Sequence, residues 1–209
     1  QSHLELDCCE VNQVLEEVHS LLKSTTDPGI SISMDCSDDL WTVEADSTQV
    51  EQVVMNMCVN AIDAMSEKGG DLVLATTNKS LNRSTLSSYS GREEGDFVEI
   101  TVSDNGIGMS SEVMAKLFEP FFTTKPQGTG LGLAVVQAVV KAHQGVFTLS
   151  SSKKGLAAMI QLPAYSSVSV HGQSVDNESA FVNRAENTAL QGDCSEQLQS
   201  GNFYSVHKG

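Results

Sequence analysis

A carboxylate followed by two closely spaced glycines is the first stretch of this sequence that is suited to chemistry. Asp104 follows the alternating apolar run 97–102, so the sequence predicts a carboxylate just past the end of a strand. Gly106 and Gly108 lack a Cβ, which would let a ligand approach the backbone closely. A carboxylate accepts hydrogen bonds, and the exocyclic amine of adenine donates them. The turn therefore predicts an adenine site, although such a turn alone is more often only a turn.

A second glycine-rich turn, residues 128–132, precedes the apolar run 131–140. The run predicts a helix, and the first N–H groups of a helix have no intrahelical acceptor, so they attract phosphate and other anions. Lys125 adds a mobile positive charge nearby. Neither the P-loop pattern GxxxxGK[ST] nor a GxGxxG after a strand occurs, so the predicted site is neither of the Walker type nor of the Rossmann type.

Two asparagines lie one turn apart on the clearest helix of the sequence, predicted over residues 46–65. Asp46 is its predicted N-cap, with Gln49 completing a capping box. At helical spacing Asn56 and Asn60 stack beside the apolar stripe, at the boundary between core and solvent. Amide oxygens suit Mg²⁺, which prefers oxygen ligands and bridges the phosphates of ATP. The alternative is that both amides cap a neighbouring loop.

Periodicity also predicts the elements that position these residues. Helices are predicted over 11–22, 111–117 and 131–143, the last ended by Gly145 at C′. Strands are predicted over 30–34, 40–45, 72–77 and 97–103, followed by a hairpin of 146–151 and 156–162. Residues 78–96 are predicted to form a surface loop, and the stretch from 165 to 209 a disordered tail. This order predicts an α+β fold with helices on one sheet face.

Composition narrows the classes of partner. The 209 residues carry a net charge of −15, which disfavours non-specific binding to nucleic acid or to an anionic membrane. The five cysteines contain no CxxC pair, and Cys58 is predicted to be a small buried hydrophobe. No run reaches the roughly 18 apolar residues of a membrane span. We therefore expect a reducing, cytoplasmic setting. The chain begins without Met, so we also expect it to be cut from a longer protein, which could itself be membrane-anchored.

In this order and spacing the motifs resemble those of the GHKL ATPase superfamily. Residues 52–65 (QVVMNMCVNAIDAM) resemble its N box, residues 104–109 its G1 box and residues 128–133 (GTGLGL) its G2 box. Residues 117–125 (LFEPFFTTK) resemble the F box of sensor histidine kinases and not of gyrase, Hsp90 or mismatch-repair relatives. The sequence AVVQAVVKAHQG further resembles kinases that partner sigma-54-dependent activators.

The resemblance implies a Bergerat-type two-layer α/β sandwich over residues 10–164, in which about three helices cover one face of a mixed sheet. It implies ATP and Mg²⁺ as ligands, with Asp104 on the adenine amine, Asn60 on the metal and Asn56 close to it. Phe118 and Phe122 would anchor a flexible ATP lid. The residues implied to contact ATP are Asn60, Asp63, Ala64, Asp104, Gly106, Ile107, Gly108, Met109, Phe118, Phe122, Thr124, Lys125, Gly128, Thr129, Gly130, Leu131, Gly132 and Leu133.

Sensor histidine kinases carry a phosphoacceptor histidine in a helical hairpin before this domain, and none of the five histidines here has that context. The resemblance thus implies a catalytic domain that binds ATP without phosphorylating itself, with residues 1–9 as the end of an upstream linker. Its implied partners are the dimerisation hairpin of the full-length homodimer and a response regulator, of the sigma-54-dependent activator type by the sub-family resemblance. Catalytic candidates are Asn56, Asn60 and Lys125. Glu51 and Asp63 would orient the histidine, or else are merely solvated carboxylates.

Two other functions remain open at this point. One is a stand-alone GHKL ATPase or serine kinase, which the missing phosphoacceptor allows and the F box argues against. The other is a non-catalytic nucleotide-binding module. Loss of Asp104, Asn60 or the G2 glycines would have indicated such a module, and all of them are present.

Overall fold

The computed structural model describes residues 4–81, 94–119, 121–125, 128–152 and 155–165. The predicted tail from residue 166 lies outside this range. The elements in chain order are β1 (Asp7–Cys9), α1 (Val11–Thr25), β2 (Ile30–Cys36), β3 (Val43–Ala45), α2 (Ser47–Met65), β4 (Gly70–Leu81), β5 (Gly95–Asp104), α3 (Ser111–Lys116), α4 (Gly132–Ala142), β6 (Val146–Ser152) and β7 (Gly155–Pro163).

The main sheet has five strands in the order β2-β4-β5-β7-β6. Strands β2 and β4 are parallel, and the other neighbours are antiparallel. One face of the sheet presents alternate residues such as Leu74, Ile100 and Ile160 to a core that also contains Val18 of α1, Val54 of α2 and Val136 of α4. The predicted mixed sheet with helices on one face is confirmed.

Helix α2 contributes the longest apolar stripe to this core. Its 3–4 spacing of apolar side chains is what the sequence predicted, and of the predicted stripe only Ile62 is partly exposed. Cys58 is fully buried, and this burial raises the pKa of its thiol to about 12. The thiol therefore stays protonated and packs as a small hydrophobe, as predicted.

Of the two hydrogen bonds of the predicted capping box, the N-terminus of α2 has only the one from the Gln49 backbone. Asp46 Oδ1 accepts a hydrogen bond from the Gln49 backbone N–H at 3.1 Å. The Gln49 side chain donates to Asp46 Oδ2 at 3.0 Å and does not reach the Asp46 N–H, which donates instead to Nε2 of His143 at 3.0 Å. Because Nε2 of this buried histidine accepts, Nδ1 carries the proton and donates to the Val139 carbonyl at 2.9 Å. The imidazole thus joins the end of α4 to the start of α2.

The predicted surface loop over 78–96 is wrong at both ends. Strand β4 continues to Leu81 and β5 begins at Gly95, with Leu81 opposite Gly95 in the ladder. Leu81 and Phe97 are buried together in a small separate cluster. Ladder pairing and this contact outweigh the polar composition that suggested a loop. Residues 82–93 lie outside the described part of the chain.

The N-terminal segment contains a strand that the sequence did not predict. Strand β1 pairs antiparallel with β3, and Cys9 is opposite Val43. Strand β3 comprises only Val43–Ala45 of the predicted strand over 40–45. Elsewhere the predicted bounds differ by a few residues: α1 extends to Thr25, β2 to Cys36, and α4 comprises Gly132–Ala142.

Gly145 was expected at the C′ position of α4, and this is incorrect. The left-handed residue is Gln144, with φ of 55°. The N–H groups of Gln144 and Gly145 donate to the carbonyls of Lys141 and Val140 at 3.0 and 2.8 Å, which is the Schellman pattern. A Cβ on Gly145 would lie 2.7 Å from the carbonyl oxygen of Gln161. The glycine is therefore needed for close packing and not for its backbone conformation.

Candidate nucleotide-binding site

Asp104 is the last residue of β5, and not just past its end as the sequence suggested. Only 8% of its surface is exposed. Its Oδ1 accepts a hydrogen bond from the Gly106 N–H at 2.8 Å. Burial raises the pKa of this carboxyl, while backbone hydrogen bonds from Gly106 and Leu156 act in the opposite direction. The strand end thus holds an acceptor in a poorly solvated place.

The two G1 glycines bring the turn against the chain's own backbone. A Cβ on Gly106 would lie 2.7 Å from the carbonyl oxygen of Ala64, near the C-terminus of α2. Gly108 has φ of +64°, and a Cβ there would meet the carbonyl oxygen of Ser152. Room for a ligand was the expected reason for these glycines, whereas the observed close approach is to α2 and to the β6–β7 hairpin.

Asn56 and Asn60 are both half-buried on α2 and face the start of α4. A Cβ on Gly132 would lie 3.8 Å from Oδ1 of Asn56 and 3.9 Å from Nδ2 of Asn60. Helix α4 begins at Gly132, and its N-cap residue Leu131 makes no side-chain capping hydrogen bond within the described residues. The N–H groups of its first turn have no intrahelical acceptors, and they lie next to the two amides.

The Lys125 side chain packs against α2, while its backbone remains next to Gly128 of the G2 turn. Its Nζ donates to Oδ1 of Asn60 at 2.8 Å and to Oδ2 of Asp63 at 2.6 Å. An amide oxygen and a carboxylate oxygen on one helical face therefore already hold a positive charge. Amide and carboxylate oxygens are ligands that Mg²⁺ prefers, and here they accept hydrogen bonds from the Lys125 ammonium.

Described residues of the predicted lid (residues 110–128, here called the lid) make aromatic and backbone contacts. Phe118 packs edge-to-face on Phe147 of β6, with ring centroids 5.9 Å apart. Phe121 has φ of 69°, and its N–H donates to the Gly130 carbonyl at 3.2 Å. The Gly128 N–H donates to the Lys125 carbonyl at 3.1 Å, so this group is engaged inside the loop, where a free phosphate donor was predicted.

The remaining predicted residues surround these contacts unevenly. The Ile107 N–H donates to the Ala64 carbonyl at 3.4 Å, and the Met109 N–H donates to Ser151 Oγ at 2.7 Å. Glu51 lies nine residues before Asn60, about 13 Å away along the helix axis, and is not brought to the cation-holding oxygens. Phe122 and Leu133 are half-buried, whereas Thr124, Thr129 and Leu131 are exposed.

A family model described as "Histidine kinase-, DNA gyrase B-, and HSP90-like ATPase" matches residues 45–166. The chain belongs to this family. Among curated relatives, the sensor kinase CckA of Brucella abortus is 40% identical over 74% of this chain and 16% of its own length. The sensor histidine kinase ZraS of Escherichia coli is 32% identical over 78% of this chain and 32% of its own length. NtrB of Azospirillum brasilense, a sensory histidine kinase/phosphatase, is 31% identical over 82% of this chain and 43% of its own length.

Solved structures agree with the fold. The catalytic domain of histidine kinase ThkA superposes with a TM-score of 0.62 at 26% identity and covers 77% of this chain and 96% of that one. Full-length ShkA in complex with AMPPNP superposes with a TM-score of 0.64 at 23% identity, over 80% of this chain and 33% of that one. The chain is thus an ATP-binding catalytic domain of the sensor histidine kinase type, a class of transferases. It spans less than half the length of each of the three curated relatives named above.

Sequence reasoning missed two structural supports of the strand end that carries Asp104. A Cβ on Gly155 would run into the Asp104 carbonyl, so the first residue of β7 lies directly against the end of β5. Asn105 bonds to Asp71 through both its side chain and its backbone. The available signal for Asn105 in the sequence was an amide immediately before a glycine at a strand end. No sequence signal pointed to its partner Asp71, which lies 34 positions away.

Proposed function

We propose that this domain binds ATP with Mg²⁺ and donates the γ-phosphoryl group to a histidine on a dimerisation hairpin that lies outside this chain. One observation carries the proposal: the buried Asp104 carboxylate at the end of β5 lies beside α2, about one helical turn from the α2 oxygens that hold the Lys125 ammonium. Gly106 packs on Ala64 beside the buried Asp104, and Asn60 lies four residues earlier, about 6 Å along the axis.

The residues divide the work by chemistry. Asp104 accepts a hydrogen bond from the adenine amine and so orients the base. Asn60, with Asn56 beside it, offers amide oxygens to Mg²⁺, which when bound neutralises phosphate charge. The first-turn N–H groups of α4, from Gly132 onward, bind phosphate oxygens. Lys125 leaves its two acceptors on α2 and binds the phosphate oxygens instead.

The proposal extends to partners and setting. ThkA has been solved in complex with the response regulator TrrA, which supports a response regulator as the final acceptor for this protein as well. The helix sequence AVVQAVVKAHQG, which resembles that of kinases partnering sigma-54-dependent activators, supports such an activator as that regulator. None of the described helices is long and apolar enough to cross a bilayer. We propose a cytoplasmic location on the cysteine usage of the sequence.

Metal-dependent binding tests the cation site. Asn60→Asp places a second carboxylate beside Asp63. The two carboxylates together hold Lys125 more tightly and repel phosphate. We expect calorimetry to show at least a tenfold weaker Mg-dependent affinity for ATP, a loss of about 1.4 kcal/mol. Asn78→Asp is the matched control, because Asn78 makes two hydrogen bonds to the 39–41 segment, remote from α2. Because an aspartate still offers Mg²⁺ an oxygen, Asn60→Ala is measured beside it, and an affinity of Asn60→Ala equal to that of the control would refute the metal assignment.

Phosphotransfer tests the reaction. A separately expressed hairpin from the matching full-length protein, mixed with this domain and ATP, is expected to become phosphorylated on histidine. Phosphohistidine is acid-labile, whereas phosphoserine survives acid. An acid-stable product would favour the serine-kinase alternative, and ATP binding without any phosphoprotein would favour the non-catalytic module.

A further inference from the structure

Asn105 and Asp71 form a reciprocal pair, here called the clasp, between the end of β5 and the start of β4. Asn105 Nδ2 donates to Asp71 Oδ2 at 2.8 Å. The Asp71 N–H donates back to Asn105 Oδ1 at 2.8 Å, and the Asn105 N–H donates to the Asp71 carbonyl at 3.3 Å. Both the oxygen and the nitrogen of the amide are engaged, so the side chain is held in one orientation.

The clasp extends the β4–β5 ladder by one step beyond its last regular pair, Leu72 with Asp104. Alternation along a strand places Asn105 on the face opposite to Asp104. A Cβ on Gly70 would meet Asn105 Oδ1, so the amide also lies tightly over the turn that follows α2. Asn105 is therefore held by contacts on the sheet face opposite to the Asp104 side chain. Because the two residues are adjacent, these contacts also restrain the position of the buried Asp104 carboxylate.

The same clasp controls the turn. Asn105 lies between Asp104 and Gly106, whose N–H binds Asp104 Oδ1 at 2.8 Å. If Asn105 leaves the ladder, the peptide that carries this N–H moves and the carboxylate loses its orienting donor. Asn105 Oδ1 and Nδ2 both bond to Asp71, on the face of the sheet opposite to Asp104.

We propose that Asn105 is a positioning residue of the adenine site, and that it acts through Asp71 to hold the Asp104 carboxylate where it reads the exocyclic amine. The inference rests on the proposed ATP binding. Removing the clasp should weaken recognition of the base and leave contacts to the phosphates unchanged.

Three variants test this in the whole chain. Asn105→Asp faces one carboxylate with another and opens the clasp by repulsion. Asp71→Asn keeps the clasp, because an amide oxygen at position 71 still accepts from Nδ2 of Asn105. The double variant with both changes restores it with donor and acceptor exchanged. Asn78→Asp, at the other end of β4, controls for the loss of a hydrogen-bonding asparagine.

The measurement is the ratio of the affinities for ATP and for inosine triphosphate, which carries an oxygen in place of the adenine amine. We expect Asn105→Asp to reduce this preference by about tenfold. The single Asp71→Asn, the double variant and Asn78→Asp should retain the preference. A general loss of stability would lower both affinities together and leave the ratio unchanged, so thermal denaturation is recorded in parallel.

An unchanged ratio in folded Asn105→Asp, or a double variant that fails to restore it, would overturn the positioning role. If Asn105→Asp does not fold, Asp71→Ala removes the carboxylate that Asn105 Nδ2 binds, and an unchanged ratio in that variant would overturn the positioning role. Wild-type protein that binds neither nucleotide would instead refute the proposed function itself.

Discussion

Replacing Asp104 by asparagine should separate nucleotide affinity from folding stability. The carboxylate is 8% exposed and accepts backbone hydrogen bonds from Gly106 and Leu156. Asparagine keeps the shape but can present an N–H₂ donor to the amine donor of adenine. Loss of a hydrogen bond to a charged group costs about 1.5–3 kcal/mol, so the dissociation constant for ATP should rise about 10- to 150-fold.

Stability should respond differently, because burial raises the pKa of Asp104. A raised carboxyl pKa means that the folded state favours the protonated form, so wild-type stability falls as pH rises from the ordinary pKa to the raised one. Asparagine has no such titration. As pH rises through that window, the free energy of unfolding of the variant should therefore increase relative to that of wild type. At neutral pH the two free energies of unfolding should differ by less than about 1 kcal/mol.

The assay combines calorimetric titration of ATP with urea denaturation across the acidic pH range. Asp96→Asn is the matched control, since Asp96 lies at the opposite end of β5 and accepts a hydrogen bond from Ser80 at 2.6 Å. An ATP affinity equal to that of wild type would show that Asp104 does not read the base. A loss of several kcal/mol of stability together with affinity would show that its role is structural.

Three further substitutions probe other parts of the domain. Gly130→Ala introduces a Cβ at φ of +68° that meets the backbone of Phe121; strain of about 1–3 kcal/mol should displace the lid and weaken ATP binding in calorimetry. Phe118→Ala removes the edge-to-face contact with Phe147, worth about 0.5–1.5 kcal/mol, and should speed limited proteolysis of the lid. Asp46→Ala removes the N-cap of α2 and should lower the free energy of unfolding by about 1 kcal/mol in urea.

Each of these has a control within the chain. The Cβ of Gly95→Ala meets no atom of the described residues closer than 3.9 Å, so this variant should bind ATP normally. Equal binding by both alanine variants would contradict the steric argument. Val59→Ala removes an exposed apolar side chain and should leave lid proteolysis unchanged. Ser110→Ala uncaps only the six-residue α3. If Ser110→Ala lowered the free energy of unfolding as much as Asp46→Ala does, the assignment of α2 as a core helix would be contradicted.

The fold was predictable wherever one apolar face repeats over several turns or strand residues. Helix α2 is the clearest case, because its stripe is long enough for the 3.6-residue period to exclude a strand. Composition misled at residues 78–81, where the polar side chains belong to a ladder. Strand β1 is only three residues long, and its partner β3 lies more than thirty positions later, so local pattern carries no signal for it.

The candidate site was predictable to the extent that residue type alone limits the chemistry. Asp104, Asn56 and Asn60 were identified because few side chains suit an adenine amine or a magnesium ion. The partner of Lys125 was not, since its contact with Asn60 joins residues 65 positions apart. A long flexible side chain reaches several acceptors, and only the packing of the lid on α2 decides among them.

The small β1–β3 ribbon has a mechanical consequence for the domain. A tension applied to the N-terminal side of β1 is borne first by a ladder of three residue pairs, from Asp7–Ala45 to Cys9–Val43. The next residue after β3 is Asp46, which caps α2 and accepts a hydrogen bond at 3.5 Å from the Glu5 N–H. Rotation or pull at the N-terminal segment is thus transmitted to the start of the helix that holds Asn60, with no flexible linker between.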